Sequence, residues 1–118
     1  MKTLIIGASK NPERYSYKAA EKLLAHGHKI ELLGLRADEI FGQTIDTEKK
    51  QYADIDTVTM YVGPKRQPEF YDYIVSLKPR RVIFNPGTEN EEFFDILKKN
   101  NIQYEVACTL VMLGTKQY

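Results

Sequence analysis

The apolar residues of this chain fall into short solid runs, separated by longer stretches in which they recur every third or fourth position. Leu4-Ile5-Ile6 is an unbroken run. Without alternation, it fits a strand buried on both faces, as in a parallel sheet. The pattern predicts a first strand over residues 3–6 and a helix over 16–26. Ser16 is that helix's expected N-cap, Ala20, Leu23 and Leu24 face inward, and Gly27 is the C′ residue. A second strand covers 29–35, followed by a polar loop with a turn at Gly42. Residues 43–56 read least clearly, with a short strand at Thr44-Ile45 and a helical turn near 47–52.

The β-branched and aromatic run 57–62 predicts the third strand, which Gly63-Pro64 breaks. Pro68 suits the first turn of a second helix reaching Leu77, with Tyr71, Ile74 and Val75 inward and Pro79 as its stop. A fourth strand covers 81–84, and Asn85-Pro86-Gly87-Thr88 is a turn cluster. The third helix, 90–100, carries Glu91, Glu92 and Asp95 early and Lys98 and Lys99 late, as the helix dipole favours. Its buried side is Phe93, Phe94, Ile96 and Leu97. A fifth strand at 102–106 and a short apolar helix at 108–113 complete the chain.

Strands alternating with helices specify an α/β fold with right-handed crossovers. The expected architecture is a Rossmann-like three-layer sandwich, a five-stranded parallel sheet in the order 3-2-1-4-5 with helices on both faces. In that order the ligand crevice lies at the carboxyl ends of strands one and four. The turn at residues 7–10 then faces the turn at 85–88.

Composition narrows the partners. The 118 residues predict one domain. Seventeen basic and sixteen acidic residues leave a net charge of +1, so no global field recruits nucleic acid or an anionic membrane, and anion binding has to be local. No apolar run approaches a membrane span, and the early first strand leaves no room for a secretory leader. Cys108 is the only cysteine, which rules out an intrachain disulfide and points to a cytoplasmic setting.

The chemistry concentrates after the first strand. Gly7, Ala8 and Ser9 are small enough for a backbone to approach a ligand, and Lys10 and Arg14 precede a helix start with unpaired N–H groups. A G-x-G-x-x-G fingerprint is absent, because Gly7-Ala8-Ser9-Lys10-Asn11-Pro12 holds only its first glycine. The second strand ends in Gly34-Leu35-Arg36, where an NAD site would have an acid. Arg36 instead suits an extra ribose phosphate, which leaves NADP or the 3′-phospho-ADP end of coenzyme A. No complete catalytic constellation is present. His26 and His28 sit where a helix end accounts for them.

These residues carry a resemblance. The chain resembles the small stand-alone CoA-binding proteins and is similar to the N-terminal, Rossmann-like domain of the succinyl-CoA synthetase α subunit. The matching pieces are Ile5-Ile6-Gly7-Ala8-Ser9 with Asn11-Pro12-Glu13-Arg14, then Tyr17-Lys18 through Leu23-Leu24 to Gly27-His28. Further pieces are Glu39-Ile40-Phe41-Gly42, Gly87 with Glu89-Asn90-Glu91, and Cys108. The chain departs from the family at Leu35-Arg36, where Asn-Pro is common, and at Phe84-Asn85-Pro86-Gly87, where Trp-x-Gln-x-Gly is common.

The resemblance implies that Gly7, Ala8, Ser9, Lys10 and Arg14 hold phosphates, helped by Ser16 and Lys18. It places Gly34, Leu35 and Arg36 beside the adenosine and makes Val62, Gly63 and Pro64 a second wall. Asn85, Gly87, Thr88 and Glu89 then flank the pantetheine, with Lys65 and Arg66 at the rim. Cys108, near the far end of a pantetheine, is a candidate redox thiol able to form a mixed disulfide with it. The expected function is a non-catalytic carrier, sensor or regulatory module for coenzyme A or an acyl-CoA. An NADP-dependent oxidoreductase and a ligand-free interaction module stand as alternatives. The expected partner is a small nucleotide ligand, with a homodimer or a second protein left open by the apolar tail.

Overall fold

The computed structural model describes every residue from Met1 to Tyr118. Strand β1 (Lys2–Ala8) lies at the centre of a sheet, and its alternate side chains feed two cores. Leu4 and Ile6 pack toward one face, and Ile5 toward the other. The fully buried run read from the sequence is therefore a strand covered on both sides.

Helix α1 (Tyr15–Ala25) follows, then β2 (Lys29–Gly34), parallel to β1. Gly27 has φ +82, and the N–H groups of Gly27 and His28 donate to Leu24 and Leu23, so the helix ends in a Schellman motif as expected. The helix start differs from expectation. Arg14 is the N-cap residue and makes no side-chain cap bond, while Ser16 is buried in the first turn. A turn at Asn11 begins the helix early, because the Asn11 carbonyl accepts the Arg14 N–H and its Oδ1 accepts the Glu13 N–H.

Two strands then form a hairpin, β3 (Asp38–Ile40) and β4 (Gln43–Asp46). Phe41 (φ +52) and Gly42 (φ +76) make its two-residue turn, with the positive dihedrals that match strand twist. Next come β5 (Ile55–Met60), a 3₁₀ turn (Gln67–Phe70) running into α2 (Tyr71–Leu77), and β6 (Arg81–Phe84). Helix α3 (Glu91–Lys99), β7 (Gln103–Val106) and α4 (Thr109–Gly114) complete the fold. Asn90 caps α3 by accepting the Phe93 N–H at 3.3 Å. No helix is long and apolar enough to cross a membrane.

The sheet has seven strands in the order β3-β4-β2-β1-β5-β6-β7, not five in the order 3-2-1-4-5. All neighbours are parallel except β3 and β4. The strand at 57–62 was expected beyond β2, but β5 pairs with β1. The place beyond β2 belongs to β4, whose Ile45 lies opposite Leu32. With β4 counted, the parallel strands have the doubly wound order, and the winding reverses between β1 and β5. The crevice thus lies at the ends of β1 and β5, not β1 and β6.

No helical turn forms at 47–52. The eight residues between β4 and β5 cross three strand positions and return along the sheet, about 20 Å in all. An extended chain covers that span, and a helix rising about 1.5 Å per residue does not. Side chains hold the crossing in place. The Tyr52 hydroxyl donates to Asp46 at 2.5 Å, the Lys50 ammonium to Asp46 at 3.0 Å, and the Tyr73 hydroxyl to the Lys50 carbonyl at 2.6 Å.

Helices α2 and α3 cover one face, with Phe70, Tyr73, Ile74, Phe93 and Leu97 over Val58, Met60, Val82 and Phe84. Helices α1 and α4 cover the other, with Ala20, Leu23 and Leu113 over Ile5, Ile30 and Leu32. Tyr71 and Val75 pack at the edge of their core, as read from spacing, and Tyr73 and Ile74 are its buried members.

Two glycines bring strand ends together. A Cβ at Gly34 would sit 2.4 Å from the Ala8 carbonyl oxygen, and one at Gly7 (φ +98) would sit 2.9 Å from that of Tyr61. Gly7→Ala and Gly34→Ala are each expected to lower the unfolding free energy by about 1–3 kcal/mol in urea titrations. Gly63→Ala, whose added Cβ meets nothing, is expected to stay within about 0.5 kcal/mol of the parent.

Candidate functional site

A cleft of about 1250 Å³ opens at the carboxyl ends of the central strands. Its floor is the end of β1 and the turn after it, where Gly7, Ala8, Ser9 and Lys10 lead toward α1. The N–H groups of Ser9 and Lys10 make no hydrogen bond within the protein. The Ser9 hydroxyl accepts the Asn11 N–H at 3.1 Å and so shapes the loop. Arg14 and Ser16 line the cleft at the start of α1, where free N–H groups and the helix dipole favour an anion.

The second wall comes from the end of β2. Gly34, Leu35 and Arg36 line it, and Leu35 is exposed. The third comes from the end of β5. Tyr61 and Val62 line it, but Gly63 and Pro64 do not. Burial pushes the Tyr61 phenol up to about 12. The turn after β6 reaches the cleft through Pro86 and Thr88.

Five cations line the cleft: Lys10, Arg14, Arg36, Lys49 and Arg66. Lys10 pairs with Asp38 at 3.3 Å and Arg66 with Glu69 at 3.5 Å. Arg14, Arg36 and Lys49 have no carboxylate within 4 Å, and the Lys49 ammonium lies 5.1 Å from the Phe70 ring centre. The Glu39 N–H, and after it Lys10, holds the Asp38 carboxyl below its ordinary value.

Several residues read from the sequence are used elsewhere. The Asn85 side chain is buried and fully bonded. Its amide donates to the Thr59 hydroxyl (2.6 Å) and the Met60 carbonyl (2.8 Å), and its oxygen accepts the Thr109 N–H (2.9 Å). Asn85 thus ties β5, β6 and α4 together beneath the cleft. The Glu89 carboxylate accepts the Gly87 N–H, closing its own turn. Lys18 lies 5.3 Å from the Tyr15 ring centre, outside the cleft. Cys108 is half-buried after β7 and does not line the cleft either.

Other residues were missed. Thr47 and Lys49 come from the crossing after β4, whose course no local pattern specified. Asn11, Glu13 and Tyr15 lie between residues already singled out, so contiguity was the available signal. Gln67 is fully buried and donates to the Val62 and Thr88 carbonyls at 2.9 and 2.7 Å. Its oxygen accepts from Asn90 at 2.9 Å, so one side chain fixes the turns after β5 and β6.

A doubly wound sheet with a cleft at its switch point defines a Rossmann-like class of α/β protein, in which ligands bind at that point. The chain belongs to the CoA binding domain family, whose model matches residues 1–114. It is similar to an uncharacterized protein of known crystal structure at 50% identity and TM-score 0.97, over 99% of this chain and 97% of that one. A conserved hypothetical protein from Pyrococcus furiosus is 28% identical with TM-score 0.78, over 91% of both chains. A Thermus thermophilus protein shares the fold at 19% identity and TM-score 0.86, over 99% of this chain and 90% of that one. No protein of curated function matches the sequence.

Asn85→Ala is expected to lower stability by about 2–3 kcal/mol, because the Thr109 N–H and the Met60 carbonyl lose their buried partner. Chemical denaturation monitored by circular dichroism measures the change.

Proposed function

We propose that this protein holds coenzyme A, free or acylated, in the cleft at the ends of β1 and β5 and does no chemistry on it. It acts as a carrier, a sensor or a regulatory module, comparable to a detached CoA-binding part of the succinyl-CoA synthetase α subunit. The observation that carries this reading is the trio Arg14, Arg36 and Lys49, cations without carboxylate partners in one large cleft of a CoA binding domain. The diphosphate lies against the Ser9 and Lys10 N–H groups and Arg14. Arg36 takes the 3′-phosphate, and the pantetheine leaves past Pro86 and Thr88. Two of the three lining carboxylates, Asp38 and Glu69, are paired with cations, and His26 and His28 lie at the far end of α1, outside the cleft.

Thermal melts with CoA and dephospho-CoA test this assignment. At a hundredfold excess over its Kd, CoA is expected to add about 2.7 kcal/mol of stability, and dephospho-CoA less. Arg36→Ala is expected to abolish the difference between the two ligands. Equal protection of the parent protein by both would remove Arg36 from the 3′-phosphate. No protection by either would remove CoA as the ligand.

A further inference from the structure

The ion pair between Lys10 and Asp38 joins two separate segments that line the cleft. Lys10 belongs to the loop after β1, and Asp38 opens β3 at the far edge of the sheet. Both line the cleft, and their charged atoms are 3.3 Å apart. Asp38 is held in place from its other side, where its Oδ1 accepts the Glu39 N–H at 2.8 Å. The lysine, by contrast, is 69% exposed and has only this carboxylate within reach. The only other ion pair in the cleft, Arg66 with Glu69, joins neighbours within one turn and crosses nothing.

We infer that Asp38 is a built-in competitor for the phosphate loop, a strap that an incoming ligand has to displace from Lys10 and that selects multiply charged phosphates over singly charged anions. The inference rests on reading the cleft as a phosphate site. An ammonium cannot give full strength to a carboxylate and a phosphate at once. A carboxylate fixed a few ångströms from the bound anion also repels it. An exposed pair of this kind holds weakly. A diphosphate therefore opens it, whereas a single negative charge gains little over the carboxylate already there. Arg14 and Arg36, which have no carboxylate of their own, attract the anion before the strap yields.

Asp38→Asn keeps the acceptor for the Glu39 N–H and removes the charge. Calorimetric titration of inorganic pyrophosphate into the parent, Asp38→Asn, Lys10→Ala and the double variant tests the strap. Asp38→Asn is expected to bind pyrophosphate about threefold more tightly than the parent. In the Lys10→Ala background the same change is expected to gain less than half as much. An equal gain in both backgrounds would make Asp38 a simple repulsive charge and overturn the strap. So would no gain, or no pyrophosphate binding by Asp38→Asn at millimolar concentration. CoA titrated into the same proteins keeps the two claims apart. Failure of CoA to bind refutes the CoA assignment, while the pyrophosphate cycle still decides the strap.

Discussion

The cleft is built on two places where backbone meets backbone. At Gly7, a kink near the end of β1 with φ +98, the chain lies against the carbonyl of Tyr61, and at Gly34 the end of β2 lies against the carbonyl of Ala8. Any side chain at either point would push β1 away from a neighbour. The approach brings the ends of β2, β1 and β5 together, and the floor of the cleft follows from it. The missing glycines of the dinucleotide fingerprint are consistent with this arrangement. The first glycine serves the strand-to-strand approach, and Ala8 and Ser9 suffice for the rest of the turn.

A polar layer supports that floor on the α4 side. Thr57 and Thr59 of β5 face this side, and Asn85 joins Thr59 to the first N–H of α4. Farther along, the Arg81 guanidinium is buried between the Thr57 hydroxyl, Glu105 and the Tyr118 ring. The Tyr118 hydroxyl in turn bonds Thr3. A buried arginine is tolerable when its donors are used in this way. The tail is thus fastened over the sheet by hydrogen bonds as well as by Leu113 and Met112. On the opposite side Gln67 performs the matching task, holding the turns after β5 and β6 at a fixed separation.

The cleft's electrostatics are local, as a net charge near zero requires. Five cations and three carboxylates share one concavity, and two of the carboxylates neutralise Lys10 and Arg66. The surplus is left on Arg14, Arg36 and Lys49. They come from three separate connections, after β1, after β2 and after β4. A ligand with several separated phosphates meets all three more readily than a compact anion does.

By itself the sequence determined the buried strands, the α/β class and the family, because each rests on neighbouring residues. Leu4-Ile5-Ile6 needs only its own lack of alternation, and Gly27 only its place after a periodic stretch. The strand order was decided by tertiary structure. Ile45 has a place in the sheet only because Leu32 lies opposite it, and β5 reached β1 only once β4 had filled the position beyond β2. The same is true of Lys49, carried into the cleft by a crossing too long for a helix. It is also true of Asn85, which the family resemblance placed beside the ligand and which the fold bonded to its own strands. Local pattern specifies which face of an element is apolar. Which polar side chain meets a ligand, and which meets another strand, depends on distances between elements that no local pattern contains.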